Sequence, residues 1–192
     1  NVTISGVSCA AMTVNGSVTI SGSGDLCVSD NVLAGANAVL NLSGVCLKNI
    51  AAQAISVSPN VNFVNGAGLA GNVPGTSSHF PITISGAVSI SGEFKAWDVE
   101  HIFANTLSVA NDATLSLNHN LTVQGQTTFN GNFSKSRYSE QVETPVLNLG
   151  AVVIAATTTP TIYFGSIILG GDVTISSGAK FTIPQSGVTY SA

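Results

Sequence analysis

Apolar–polar–apolar triplets recur along this chain, and they lie too close together for helices to fit between them. Val2-Thr3-Ile4, Val18-Thr19-Ile20, Ile55-Ser56-Val57, Ile82-Thr83-Ile84 and Val88-Ser89-Ile90 are early examples; Leu107-Ser108-Val109, Leu115-Ser116-Leu117, Leu121-Thr122-Val123, Val173-Thr174-Ile175 and Phe181-Thr182-Ile183 continue the series. Neighbouring side chains on a strand point to opposite faces, so each triplet buries its branched pair and turns its hydroxyl outward. Gly or Asn usually follows, as a tight corner with positive φ requires. Between residues 107 and 133 the beats come so often that they suit the sides of a triangular coil better than antiparallel hairpins. The spacing predicts an all-β, right-handed parallel β-helix (β-solenoid) with coils of about 18–22 residues. An antiparallel β-sandwich or jelly roll is the alternative.

One longer phrase is stated three times near the start. Val2-Thr-Ile-Ser-Gly6 leads to Cys9, Val18-Thr-Ile-Ser-Gly22 to Cys27, and Leu40-Asn-Leu-Ser-Gly44 to Cys46. The cysteines are 18 and 19 residues apart (9 to 27, 27 to 46), the interval expected if Cys9, Cys27 and Cys46 form one interior column on successive coils. Matched Cα atoms on stacked strands lie about 4.8 Å apart, within disulfide range. An odd count without CxxC or Cys/His spacing points instead to buried structural thiols.

A length of 192 residues fits one domain, 1–192, with a substantial core. The hydrophobic fraction is 44% while only 7% of residues are charged, against about 25% in ordinary globular proteins. That excludes disorder. No run of about 18 apolar residues occurs, so no membrane-spanning segment is expected. A net charge of −4 gives no basic surface, and no nucleic-acid partner is expected. Ser, Thr, Asn and Gly replace charge as the solubilising residues. The opening at Asn1 and the single methionine, Met12, suggest a mature product or a piece of a longer chain.

Three stretches break the rhythm and are expected as excursions from the coil: 65–81, 93–103 and 134–145. The first is rich in Gly and Pro. The second, Glu93 to Phe103, reads as a short helix or bulged strand, and the third as an exposed loop. Eight of the fourteen charged residues fall in the last two. Glu93, Lys95, Trp97, Asp98, Glu100, His101, Lys135, Arg137, Tyr138 and Glu140 therefore form the candidate interaction surface. Paired carboxylates for a carbohydrate-active enzyme would have to come from Glu93, Asp98 and Glu100 with His101, but neither a strained nucleophile elbow nor a metal-ligand spacing accompanies them. No catalytic residue, metal or cofactor is assigned, and the chain is expected not to be an enzyme. Outward Thr3, Thr19, Thr83, Thr174 and Thr182 raise an ice- or polysaccharide-binding face, without the regular TxT repeat that would support one. Sequons at Asn1, Asn15, Asn41, Asn120 and Asn132 matter only for a secreted, glycosylating source.

The ISG and LSG phrases, together with LSVANDATLSLNHNLTVQGQTTFNGNF and VLNLGAVVIAATTTPTIYFGSIILGGDVTISSGAKFTI, resemble the passenger domains of bacterial autotransporters and adhesins. The texture is similar to the vacuolating-cytotoxin type. The resemblance implies an extracellular or cell-surface location and a non-enzymatic role in adhesion or host contact; a host-surface or carbohydrate ligand is the partner considered. A bactofilin-like scaffold polymer is the structural alternative. A strand phrase starts at Val2 with no amphipathic cap before it, so self-association or continuation through the solenoid ends is expected.

Overall fold

Up to Val123, each turn of the chain lays one strand on each of three faces, and the next turn lays its strands beside them; beyond it the described strands belong to two of the three, faces A and C. A computed structural model describes residues 2–3, 7–72, 74–111, 113–130, 146–155 and 166–181. Face A contains β1 (Val2–Thr3), β4 (Ser17–Ser21), β7 (Val39–Ser43), β10 (Asn60–Val64), β13 (Val88–Ser91), β16 (Leu107–Val109), β19 (Thr127–Phe129), β21 (Val152–Ile154) and β23 (Val173–Ile175). Face B contains β2 (Val7–Cys9), β5 (Asp25–Val28), β8 (Cys46–Asn49), β11 (Ala67–Ala70), β14 (Glu93–Trp97) and β17 (Thr114–Leu117). Face C contains β3 (Met12–Val14), β6 (Val32–Ala34), β9 (Ile55–Val57), β12 (Ile82–Ile84), β15 (His101–Phe103), β18 (Leu121–Val123), β20 (Val146–Leu149) and β22 (Ser166–Leu169). Neighbours in each sheet are parallel, as in β4 with β7, β11 with β14 and β12 with β15. The fold is a right-handed parallel β-helix, and the sandwich alternative is set aside.

The triplets do what their alternation requires. Inward columns such as Leu40–Val61–Val88–Leu107 run through the stack on face A, all buried. Each buried branched side chain stabilises the fold by about 1.5–3 kcal/mol relative to exposure. Phe63, Phe94 and Phe103, one from each face, meet edge to face at the centre, with centroids 4.8 Å and 6.1 Å apart. In-register partners on face A fall between 18 residues (Val2 to Ile20) and 27 residues (Val61 to Val88) apart. The coil is thus more variable than 18–22, and corners take up the difference.

The Ser-Gly of the repeated phrase is the corner from face A to face B. Gly44 has φ 70°, and a Cβ there would collide with the Gly22 carbonyl one coil below. Glycine is required twice over at this position, by conformation and by space.

The expected excursions resolve differently. Of 65–81, Asn65 to Ala70 stays in the coil as corner and strand β11. Only the connection from Gly71 to Pro81 leaves it, pinned by an antiparallel bridge between Asn72 and His79. Asn49, wholly buried, holds the foot of that connection: its Nδ2 donates to the carbonyls of Gln53, Phe80 and Pro81, and its Oδ1 accepts from the Ala51 amide. The stretch 93–103 is no excursion. It forms β14 and β15 with a corner at Asp98; Glu93 and Lys95 occupy outward positions of a regular strand, and Asp98 and Glu100 fall in the corner between the two strands. The stretch 134–145 lies outside the described residues.

One inward position is chemically out of place. Thr127 sits in the column between Leu107 and Val152, fully buried, and its hydroxyl has no hydrogen-bond partner among the described residues. A buried unpaired hydroxyl costs about 1–3 kcal/mol. Thr127→Val, which keeps the shape, is expected to raise stability by about 1 kcal/mol and the melting midpoint by about 2–4 °C. A calorimetric scan of the two proteins checks this.

Candidate functional site: a groove on face B

Strand β11 carries almost no outward side chain. Ala67 and Leu69 point into the core, leaving Gly68 and Ala70 on the outer surface, both buried between taller neighbours. On one side lies β8 with outward Cys46 and Lys48; on the other lies β14 with outward Glu93, Lys95 and Trp97. The result is a groove of about 710 Å³. Two strand spacings make it about 10 Å between its wall strands, and four residues of β11 make it about 13 Å long. A Cβ on Gly68 would collide with the Lys95 carbonyl, so the bare floor is built into the packing of β11 against β14.

Each wall carries an ion pair. Lys48 Nζ lies 3.6 Å from Asp25 on the neighbouring strand, and Lys95 Nζ 3.4 Å from Glu93 on its own strand. Both pairs are solvent-facing and contribute little to stability; their effect is to fix donors and acceptors along the groove. At one end stands Trp97, the chain's only tryptophan, 47% exposed. Beside it Asp98 adopts φ 74°, unusual for a non-glycine residue, while its amide donates to Asn118 Oδ1 of the next coil at 3.1 Å.

The Trp97 carbonyl is held from beneath by His101. This histidine is inward-facing and wholly buried; its Nε2–H donates to the Trp97 carbonyl and its Nδ1 accepts from the Ile82 amide, both at 3.2 Å. The pair of bonds defines a neutral tautomer. Burial lowers its pKa from 6.5 to about 4.

The sequence candidates therefore separate. Glu93, Lys95, Trp97 and Asp98 come together in the groove. Glu100 does not line it and instead accepts from the Thr122 hydroxyl at 2.7 Å, while His101 points into the core. The four residues Glu93, Asp98, Glu100 and His101 are not brought to one place. Lys135, Arg137, Tyr138 and Glu140 lie outside the described residues. Asp25, Lys48, Gly68 and Ala70 were not signalled as site residues by charge clustering, and Gly68, between Gly66 and Gly71, falls in the stretch read as an excursion.

The cysteines do not share a column. Cys9 is in register with Val28 and faces the core; Cys27 pairs with Lys48, and Cys46 with Asp25, both on the outer surface. Spacing along the chain misled because β5 and β8 are entered at different points of their corners. Cys27 and Cys46 sit diagonally, which puts their Cα atoms about 8 Å apart, beyond disulfide reach without backbone movement. All three cysteines are free. Burial, then the nearby Asp25 carboxylate, raises the Cys46 pKa to about 12, and the same causes raise that of Cys27.

On face A the outward polar residues bond to one another. Asn41 Nδ2 donates to Ser17 Oγ at 3.1 Å, Asn62 Nδ2 to Asn41 Oδ1 at 2.7 Å, and Ser89 Oγ to Asn62 Oδ1 at 2.6 Å. The threonines considered for a flat binding face are dispersed: Thr19 and Thr174 share a face A column, Thr3 is offset from it, Thr83 is on face C, and Thr182 lies outside the described residues. Among the described residues no group of three or more His, Cys, Asp or Glu is placed to hold a metal, and no helix is long and apolar enough to cross a membrane. No protein-family model, curated protein or solved structure matches the chain.

Two outcomes follow from these environments. Lowering the pH through 6.5 lets the unfolded chain bind a proton that folded His101 takes up only near pH 4, so the His101 contribution lowers stability across that window and levels off below it. The loss is expected to be about 3 kcal/mol, read from urea unfolding between pH 7 and pH 4, and His101→Gln should lack this component. With its pKa raised to about 12, the Cys46 thiol stays protonated at pH 8. Iodoacetamide followed by peptide mapping should label Cys46 at least about tenfold more slowly than a free model thiol.

Proposed function

We propose that this chain is a non-enzymatic structural and adhesive module of an extracellular or cell-surface assembly. The coil stack serves as its scaffold, copies associate end to end, and the groove on face B is its contact surface. The resemblance to autotransporter and adhesin passengers supports the location and the adhesive role.

The observation that carries the scaffold reading is the state of β23. Val173 and Ile175 continue the inward column of Val152 and Ile154, which are fully buried, yet they are 41% and 51% exposed. These positions call for another parallel rung. The described edges of face A are β1 and β23, and through the register of the intervening strands Val2 of β1 falls in the same column as Ile175 of β23. Such a rung would come from continuation of the same chain or from a second copy stacked head to tail; we favour the second, a heterologous contact that can repeat.

Light scattering across a concentration series tests the reading. The average mass should rise with concentration, and Val173→Lys with Ile175→Lys should hold it at the monomer value. A wild-type protein that stays monomeric throughout would refute the stacking.

A further inference from the structure

We propose that the face B groove is a binding site for a neutral saccharide, with Trp97 as the stacking platform for a pyranose ring. This deepens the adhesive reading above, and depends on that reading but not on stacking.

Four observations converge on this ligand. First, the groove floor is the middle of a sheet. Strand β11 is paired with β8 on one side and β14 on the other, so no free strand edge is available to a peptide seeking to add a strand. Recognition must run through side chains. Second, those side chains are one exposed indole and a set of paired charges. An indole offers a broad apolar face, which suits the C–H face of a pyranose. The Asp25–Lys48 and Glu93–Lys95 pairs offer fixed acceptors and donors to its hydroxyls.

Third, the charge balance favours a neutral ligand. Asp25, Glu93 and Asp98 face Lys48 and Lys95, a near-balanced set that gives little attraction to a polyanion or a polycation. A purely apolar ligand would have to desolvate both ion pairs, which is costly. A hydroxyl-rich ring with one apolar face meets both demands.

Fourth, the Trp97–Asp98 corner is held ready. The Trp97 carbonyl accepts from buried His101, and the Asp98 amide donates to Asn118, so the bond network fixes the backbone at the groove's end before any ligand arrives. Preorganisation of this kind lowers the ordering cost of binding. The groove's length of about 13 Å is enough for two or three pyranose rings in a row.

Trp97, the only tryptophan, reports on its own site. The intact chain would be titrated with cellohexaose, chitohexaose and mannohexaose while its emission is followed, with hexagalacturonate and the peptides hexalysine and hexaglutamate as charged controls. At least one neutral hexasaccharide should shift the emission saturably. By calorimetry, its affinity should fall about tenfold or more in Trp97→Ala and severalfold in Lys95→Ala. Both variants should keep the wild-type melting midpoint, since neither side chain is in the core, and both should stack like the wild type.

The proposal is overturned if none of the three neutral hexasaccharides binds, if only a charged control binds, or if binding survives undiminished in folded Trp97→Ala and Lys95→Ala. Loss of saccharide binding with stacking intact refutes the groove assignment alone. Loss of stacking with saccharide binding intact refutes the scaffold reading alone.

Discussion

Register between coils is the constraint on which everything else depends. A single turn of this chain has three short strands and cannot enclose its own apolar side chains. Burial is achieved only when the next turn sets its branched residues over the same columns and closes the parallel hydrogen bonds. Leu40, Val61, Val88 and Leu107 stack in this way although the intervening chain varies from 19 to 27 residues. A one-residue slip would turn every inward side chain out, so variation in length is confined to corners and to the connection that Asn49 anchors.

The fold was legible because alternation is a local property. A triplet such as Ile82-Thr83-Ile84 specifies which side chains go in whatever surrounds it, and close spacing then leaves few ways of joining triplets. Register is not local, and reading it from spacing failed. Cys9, Cys27 and Cys46 look evenly spaced, but evenness along the chain is not alignment across it: β5 begins at Asp25 and β8 at Cys46, so those two residues are the neighbours. Charge misled in a related way. Glu93, Lys95 and Trp97 gave the appearance of a protruding segment, whereas they are alternate residues of a strand whose other side chains, Phe94 and Ala96, are core.

The same distinction explains what was missed at the site. Sequence marks residues that are present, and the groove is created by side chains that are small, at Gly68 and Ala70. Its depth depends on which strands flank β11, which only register reveals. His101 was grouped with the surface acids by proximity in sequence, yet Trp97 and His101 lie on either side of a corner and face opposite ways. The histidine nevertheless bears on the groove through the Trp97 carbonyl, as a positioning residue rather than one that lines it.

The geometry of face A sets a length scale for the proposed head-to-tail stack. The nine described strands of face A, at about 4.8 Å each, span about 43 Å. In a head-to-tail filament the face B groove would recur once per copy. A partner displaying repeated units could engage several grooves at once, and weak individual contacts would then combine into firm attachment through effective concentration. Attachment strength would be governed by filament length, a quantity set by assembly rather than by any residue in the groove.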